Sequence, residues 1–437
     1  VIADRKMPAV ERQLIECLHH VIKGAEPQQV GILCPQDDQR KALTEQFGSK
    51  TATSFCKEVD SLKNLSNLDA LIVNQALDEE INDSEKLDKF ITAALRSLRT
   101  DGVLILRQDL SKVKEMKKMA MLTDYFDVFR LEEGNGNVGF QFYAVNEVLD
   151  SVYVHQNWLD FIWTLIKKPF PKDINGVVSF RDFLDRTQYT DTGIFAYEWI
   201  FGNNFISPGG WNQNLAILKR FGPMKTGQRM LDIGVGIGGG ARQAASEFGL
   251  QVHGVDLSTN MLAVALERVH KEKDARVTYA VCDACEYEFE PNSFDYVFSR
   301  DCIQHIKDTD KLFSRIYRAL KPGGKVLITM YGVGHGTLSE SFKEYVSQRQ
   351  YYLKNLEQIE EIAKKTGFID IEVENMTPRF KEILLEERER IEQDKETFLA
   401  KFSQNAYDGL VSGWKSKLQY IADDNHNWNF FAAVKPQ

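Results

Sequence analysis

The segment Met230-Leu231-Asp232-Ile233-Gly234-Val235-Gly236-Ile237-Gly238-Gly239-Gly240 constrains this chain more than any other. An apolar run that reads as a buried strand breaks into five glycines within seven positions. The residues from Ala241 to Phe248 then read as the first turns of a helix. Glycines admit backbone conformations closed to other residues, and they let a ligand lie against the N–H groups of a helix N-terminus. Gly234, Gly236 and Gly239 satisfy G-x-G-x-x-G, a weak signal by itself.

The acids around the turn sharpen that signal. Asp232 stands at the end of the strand. The apolar segments Gln251–Asp256 and Val277–Asp283 finish on carboxylates too. Three such strands would set three acids along one rim of a parallel sheet, where ligands bind in this architecture. An anionic pyrophosphate beside Asp232 is unfavourable. A ligand with an ammonium and a sulfonium gains there, and a ribose can chelate Asp256. The rim therefore suits S-adenosylmethionine better than NAD, and Asp232 and Asp283 weigh against an oxidoreductase. Alone, any one of these acids would be read as a turn cap; the three together favour a site.

A chain of 437 residues is long enough for two or three domains, and its 43% hydrophobic content fits a globular protein. Net charge is −9 and no long basic run occurs, which argues against a nucleic-acid partner. No apolar run reaches bilayer-spanning length, and Val1-Ile2-Ala3-Asp4-Arg5-Lys6 does not read as a signal peptide. Six cysteines without framework spacing fit a reducing, cytoplasmic setting. Cys282-x-x-Cys285 has no second pair, so it is read as two small residues flanking Asp283, and no metal is expected.

In the first part of the chain, residues 8–25 have helical spacing (Val10, Leu14, Ile15, Leu18, Ile22). Gln29–Leu33 reads as a strand followed by Cys34-Pro35-Gln36-Asp37-Asp38, where a glycine turn would sit but no glycine does. Leu68–Asn74 as strand, Ser84–Leu98 as helix and a Gly102-containing turn into Val103–Leu106 repeat the order found later. There, Phe294–Ser299, a helix around Lys311–Phe313 and Pro322-Gly323-Gly324 lead into Lys325–Ile328. This implies an internal duplication whose first copy has lost its glycine loop. The expected division is a degenerate methyltransferase-like α/β domain without a cofactor site over residues 1–150, a helical linker over 151–175 and a catalytic domain over 176–437. Helices are expected at Glu340–Leu353, Leu356–Lys365 and through Arg379–Phe402, with strands at Phe368–Glu374 and Trp428–Val434. A helical insertion before the last strand is a natural lid.

The glycine turn with Asp256 and Asp283 resembles a class I, Rossmann-like S-adenosylmethionine-dependent methyltransferase. Longer stretches narrow the resemblance: Gln188-Tyr189-Thr190-Asp191-Thr192-Gly193, Tyr197-Glu198-Trp199-Ile200-Phe201-Gly202, Phe205-Ile206-Ser207-Pro208-Gly209-Gly210, Ser299-Arg300-Asp301-Cys302-Ile303-Gln304-His305-Ile306 and Lys343 through Tyr351. Together they resemble the phosphoethanolamine methyltransferases of plants, protozoa and nematodes over about residues 180–437. A degenerate first domain with a live second one resembles the nematode second type. That resemblance implies methylation of phosphomonomethylethanolamine and phosphodimethylethanolamine to phosphocholine, for phosphatidylcholine synthesis. It implies cofactor contacts at Tyr197, Ile206, Ser207, Gly234, Asp256, Leu257, Asp283, Ala284 and Arg300, to which the reading of the turn adds Asp232 and Gly236. It implies substrate contacts at Gln188 and Asp301 near the amine, and at Tyr331, Tyr345, Arg349, Tyr351 and Lys417 near the phosphate. Tyr189 and His305 match a catalytic pair that closes over the site, with Asp301 beside them. Pro208, Leu257, Ala284 and Cys302 depart mildly from the family pattern.

The chemistry asked of these residues is transfer of a methyl from sulfonium to nitrogen. The substrate alkylammonium, with an intrinsic pKa of about 10 by analogy with lysine, must first lose a proton. His305 can act as general base, directly or through water or Tyr189. Asp301 can orient the amine, although it also favours the protonated form. Arg349 and Tyr351, two positions apart, do not share a helix face, so a bend or a helix end would be needed for both to reach one ligand. The alternatives are a methyltransferase acting on another small amine and a cofactor-binding regulatory protein. Methyl transfer separates the second of these, and a screen of acceptors the first.

Overall fold

The computed structural model describes residues 9–77, 80–113, 117–172 and 179–437. It divides into two compact units. One runs up to Phe183 and includes Leu266–Tyr287; the other comprises Leu184–Ala265 and Glu288–Gln437. Fourteen strands occur among the described residues. They are β1 (Gln29–Leu33), β2 (Ala52–Cys56), β3 (Leu68–Asn74), β4 (Leu98–Asp109), β5 (Arg130–Glu133), β6 (Gly136–Glu147), β7 (Asp160–Phe170), β8 (Arg229–Ile233), β9 (Gln251–Asp256), β10 (Val277–Cys282), β11 (Phe294–Arg300), β12 (Leu320–Val333), β13 (Ile369–Asn375) and β14 (His426–Val434).

In the second unit the order is β9-β8-β11-β12-β14-β13. The first four run parallel, and β14 is antiparallel to both its neighbours. The central strands are buried along most of their length, as parallel strands covered on both faces are. The helix Thr309–Ala319 returns the chain from β11 to β12. Asp308 caps it by accepting the Lys311 N–H, and Leu312, Phe313 and Ile316 form its buried face. Such a cap contributes about 1 kcal/mol.

The first unit follows the same path, β2-β1-β3-β4-β7-β6, with β10 antiparallel to β6 and β5 paired outside it. The correspondence holds residue by residue. Both return helices carry an aspartate cap: Asp83 accepts the Glu85 and Lys86 N–H groups ahead of β4. The β3–β4 ladder skips a residue between Leu68 and Ala70, and the β11–β12 ladder between Phe294 and Tyr296. Asp101 and Gly323 take positive φ at matching turns (64° and 73°), as do Gln75 and Asp301 just beyond matching strands (50° and 53°). Gln75 donates to Arg107 O at 3.0 Å, and Asp301 donates to Thr329 O at 2.8 Å. Asp69 accepts the Gln29 N–H, as Asp295 accepts that of Arg229, each at 2.8 Å. The two sheets therefore share not only their strand order but also these local irregularities.

Two sequence expectations require correction. Residues 151–175 do not form a helical linker. Asp160–Phe170 is β7, bonded to β4 and β6. A run buried on both faces carries no period that separates strand from helix, and Trp158 and Trp163 are packed in the core rather than along one helical stripe. The segment Leu266–Tyr287, expected in the catalytic domain, groups with the first unit, where Ala280, Val281 and Cys282 pair with Asn146, Val145 and Ala144. Residues 173–178 of the expected linker and domain start lie outside the described residues.

The helices Glu340–Arg349, Thr377–Gln393 and Gln404–Ala422 are inserted between β12 and β14 in the second unit. The first is shorter than expected. It ends when Gln350 takes φ +52°, a left-handed stop.

Candidate active site

The expected turn forms at the end of β8. Gly234, Gly236 and Gly238 have φ of 75°, 57° and 78°, and the helix Gly239–Phe248 starts from it. A Cβ at Gly234 would sit 2.3 Å from Cys302 Cβ, so only glycine allows this approach. The Gly236 N–H donates to Asp256 Oδ2 at 2.8 Å, and the Ser258 N–H to Oδ1 at 2.9 Å. Asp256 thereby ends β9 with its carboxylate held at the turn. Ile206 packs against Gly236 and, with Tyr189, against Ile194, Ile237, Met261 and Val264.

The two acids of this rim are buried. Burial, followed by repulsion from Asp256, pushes the Asp232 carboxyl up to about 8, with Arg300 opposing. Burial raises Asp256 to about 6 against the pull of its backbone donors. Two carboxyls short of positive charge suit a cationic ligand, and the glycine turn leaves the backbone open to one. Leu257 follows Asp256 partly exposed. Ser207 O accepts the Gly210 N–H at 3.2 Å. Arg300 holds that same loop: Nη1 donates to Gly210 O at 3.2 Å and to Asn214 Oδ1 at 3.1 Å, and Nη2 to Pro208 O. Its guanidinium thus shapes the segment carrying Ile206 and Ser207. Asp283 and Ala284 follow β10 in the first unit, where Asp283 Oδ1 accepts the Cys285 N–H at 2.8 Å.

Asp301 follows β11 in left-handed backbone. Its Oδ1 accepts from Trp428 Nε1 at 2.6 Å and Thr329 Oγ1 at 3.0 Å. Its Oδ2 is buried without a hydrogen bond; Arg300 Nε stands 3.8 Å away, beyond bonding reach. Burial holds the carboxyl above its ordinary value, with Arg300 and the Trp428 and Thr329 hydrogen bonds opposing. An orphaned buried carboxylate oxygen is costly unless a donor arrives, and an alkylammonium is such a donor.

Nearby, Tyr189 Oη lies 3.4 Å from His305 Nε2. Burial, then Arg349, lowers the imidazole to about 3, so it is neutral at physiological pH. Tyr351 packs edge-on against His305 at 4.8 Å, Tyr345 at 5.8 Å and Tyr331 at 6.1 Å. The left-handed Gln350 makes this possible, turning Tyr351 back beside Tyr345 on the preceding helix. Of the bend or helix end that Arg349 and Tyr351 would need, the structure has a helix end. Lys417 Nζ lies 5.5 Å from the centre of the Tyr331 ring. Gln188, expected near the amine, donates to Arg349 O at 3.1 Å. Tyr197, expected among the cofactor residues, is hydrogen-bonded to Arg349; burial would raise its hydroxyl, but Arg349 and Lys417 bring it below its ordinary value. Tyr197, Tyr345, Arg349 and Lys417 line one cavity of about 370 Å³. Its cations, phenols and small volume suit a phosphomonoester.

A model of the phosphoethanolamine N-methyltransferase 2 N-terminal region matches residues 8–171, and a methyltransferase-domain model matches residues 231–328. The chain is 54% identical over 430 residues to phosphoethanolamine N-methyltransferase 2 of Caenorhabditis elegans, covering 98% of each. It belongs to the phosphoethanolamine N-methyltransferase 2 family. Phosphoethanolamine N-methyltransferase of Plasmodium falciparum is 34% identical over 265 residues, 60% of this chain and 98% of that one. Among solved structures, phosphoethanolamine N-methyltransferase 2 of Haemonchus contortus, in complex with phosphomonomethylethanolamine and S-adenosylhomocysteine, is 99% identical. It covers 98% of this chain and all of its own, with a TM-score of 0.96. The second unit of this phosphoethanolamine N-methyltransferase is accordingly a class I S-adenosylmethionine-dependent methyltransferase domain.

Sequence reasoning missed part of this methyltransferase's site. Trp428 and Thr329 fix Asp301. His426, fully buried, packs 4.9 Å from Tyr331 and 6.1 Å from Tyr345. The strand period was the available signal: His426 and Trp428 are two apart on β14 and share a face. Asp185 was missed as well. It accepts from Thr259 N at 3.1 Å and Thr259 Oγ1 at 2.7 Å, fastening the segment that carries Gln188 and Tyr189.

Proposed function

We propose that this enzyme methylates phosphomonomethylethanolamine and phosphodimethylethanolamine, giving phosphocholine for phosphatidylcholine synthesis. The observation that carries the reading is the polarity of the second unit's site. A single open carboxylate oxygen on Asp301 waits for an amine, while Arg349, Lys417 and three tyrosines gather where a phosphate would lie. The ligands named for the Haemonchus structure support it.

S-adenosylmethionine, when bound, supplies a methyl activated by a sulfonium. The chain's own residues do the rest. Asp232 and Asp256 provide negative charge beside the glycine turn. Arg349, Lys417, Tyr345 and Tyr351 hold the phosphate and so fix the distance of the amine from the rim. Asp301 accepts the N–H that the monomethylated amine keeps in its neutral form and so aims its nitrogen; it holds the dimethylated substrate as the ammonium until its proton leaves, and then acts by charge on the developing quaternary cation. His305 stands neutral and ready to accept a proton, with Tyr189 joining it across the site. Its low proton affinity makes it a weak base for an ammonium of pKa about 10. Orientation therefore contributes more of the acceleration than proton transfer.

We further assign the cofactor to the second unit alone. By strand register Ile32 stands where the second copy has Asp232, Cys34 where it has Gly234, and Lys57 where it has Asp256. Matching hydrogen bonds support that alignment, from Cys34 N–H to Cys56 O and from Gly234 N–H to Val255 O. Arg107 donates to both oxygens of Asp160, at 3.2 and 2.8 Å, and to Asn74 Oδ1 at 3.2 Å across the same strand ends. An apolar residue, a thiol and a cation replace what a sulfonium needs. A cytoplasmic location fits six free cysteines. Among the described residues no helix is long and apolar enough to cross a membrane.

The test is labelled S-adenosylmethionine with each phosphobase separately, on the full chain. Transfer to the mono- and dimethyl compounds, with little to phosphoethanolamine, is expected. Transfer to neither overturns the substrate assignment. Calorimetry should give one cofactor per chain, and none after Asp256→Ala; residual binding in that variant would place a cofactor in the first unit.

A further inference from the structure

One buried acid of the second unit has no part in the scheme above. Glu387 lies on the helix Thr377–Gln393 and is 6% exposed. Its Oε1 accepts the Gly209 N–H at 2.8 Å, and its Oε2 is buried without a hydrogen bond. Gly209 follows Ile206-Ser207-Pro208. Its own backbone is left-handed, with φ +76°, and a Cβ there would meet Gln213 Cβ at 2.6 Å and Ile383 Cδ1 at 3.1 Å. From the other side Arg300 grips the carbonyls of Pro208 and Gly210. The loop is thus held between a cation on the sheet and an anion on the lid.

Other polar links join this helix to the same segment. Arg379 Nε donates to Gln213 Oε1 at 3.3 Å, and Arg390 Nη2 to Trp199 O at 3.4 Å. Both arginines are largely exposed, whereas Glu387 is buried. A buried acceptor on a backbone N–H is shielded from competing water and is the more persistent tie. Three charged groups face the carboxylate: Lys417 from the helix Gln404–Ala422, Arg390 from its own helix and Arg300 from β11. Burial pushes its carboxyl up to about 7 despite them.

We propose that Glu387 is a positioning residue that latches the lid helix to the Ile206–Gly210 loop and so sets the enzyme's affinity for S-adenosylmethionine. This rests on the reading that Ile206 and Ser207 contact the cofactor. The latch acts through the loop backbone, so an uncharged acceptor of the same shape should keep most of it.

The experiment compares Glu387→Ala and Glu387→Gln in the full chain, with Asp256→Ala as control. Cofactor Kd is measured by calorimetry, and kcat and KM for both substrates by methyl transfer. Glu387→Ala should raise the cofactor Kd and KM at least tenfold and leave kcat at saturating cofactor within a few-fold. Glu387→Gln should recover most of the lost affinity. A cofactor Kd unchanged in Glu387→Ala while Asp256→Ala abolishes binding would overturn the latch alone. A Kd unchanged in both would overturn the cofactor site itself. Equal losses of affinity in Ala and Gln, tracking a fall in melting temperature, would reduce Glu387 to a structural role and overturn the proposal.

Discussion

The indole N–H of Trp428 donates to Asp301 Oδ1 at 2.6 Å and leaves Oδ2 of the same carboxylate without a hydrogen bond. A strand at one side of the site thereby fixes the orientation of a carboxylate at the end of another. Asp301→Asn keeps the shape and removes the charge. It should lower kcat/KM for phosphomonomethylethanolamine about 10- to 100-fold, the worth of a hydrogen bond to a charged group, with cofactor affinity retained. Trp428→Phe should fall in between, lowering kcat more than it raises KM. Steady-state kinetics on both variants decides, and near-normal turnover by Asp301→Asn removes the residue from the mechanism.

Arg349 and Lys417 line the same cavity, and Arg349 is bonded to Tyr197. Arg349→Ala should raise the phosphobase Kd about 10- to 100-fold by the loss of a charge-assisted contact. The cofactor Kd should not move. Titration of each ligand separately gives the answer, and an unaltered phosphobase isotherm excludes a phosphate at Arg349.

If Asp232 and Asp256 face the cofactor as proposed, its binding should be proton-linked. Without a bound cation their carboxyls are raised to about 8 and about 6. A sulfonium favours the ionised forms and lowers both values, so the complex holds fewer protons than the free enzyme. Affinity should climb as pH rises from about 6 to about 8 and level off above that window. Calorimetry in buffers of different ionisation enthalpy should show proton release near neutral pH, and Asp232→Asn should reduce it. Proton uptake instead would reverse the electrostatic account.

Glu147, in the first unit, is 2% exposed, bonds the Tyr279 N–H through Oε2 and leaves Oε1 without a hydrogen bond. Burial raises its carboxyl from 4.5 to about 8. The folded chain holds this proton more tightly than the unfolded chain. The stabilisation is therefore fully present below about 4.5 and is lost as pH rises through about 8. Glu147→Gln should flatten this decline, raising the melting temperature at pH 8 by more than at pH 5. Thermal denaturation across that range checks the sign.

The glycine turn of the second unit was legible because its local chemistry is explicit. Gly234, Gly236 and Gly238 need left-handed backbone, and no other residue type announces a turn so plainly. The paired element orders of the two halves were legible too, though the matching positive φ of Gln75 and Asp301 lay beyond sequence reasoning. Strand β7 was misread because burial on both faces erases the alternation that marks a strand. The supports of Asp301 were hidden for another reason: Thr329 and Trp428 are 28 and 127 positions away, and only the sheet register brings them together. Tyr351 came between these cases, since its spacing from Arg349 required a bend or a helix stop, and Gln350 supplies the stop.

The lone open oxygen of Asp301 also bears on when the reaction stops. It can serve only a nitrogen that still has a hydrogen to give. A monomethylated amine qualifies even in its neutral, reactive form, a dimethylated one only as its ammonium, and a trimethylated one not at all. On the role proposed for Asp301, the last transfer thus leaves a product that cannot make the contact offered to its precursors, and the quaternary headgroup is left in a place shaped for a donor it no longer has. Release would then follow from the chemistry itself, with no separate signal needed to mark the final methyl.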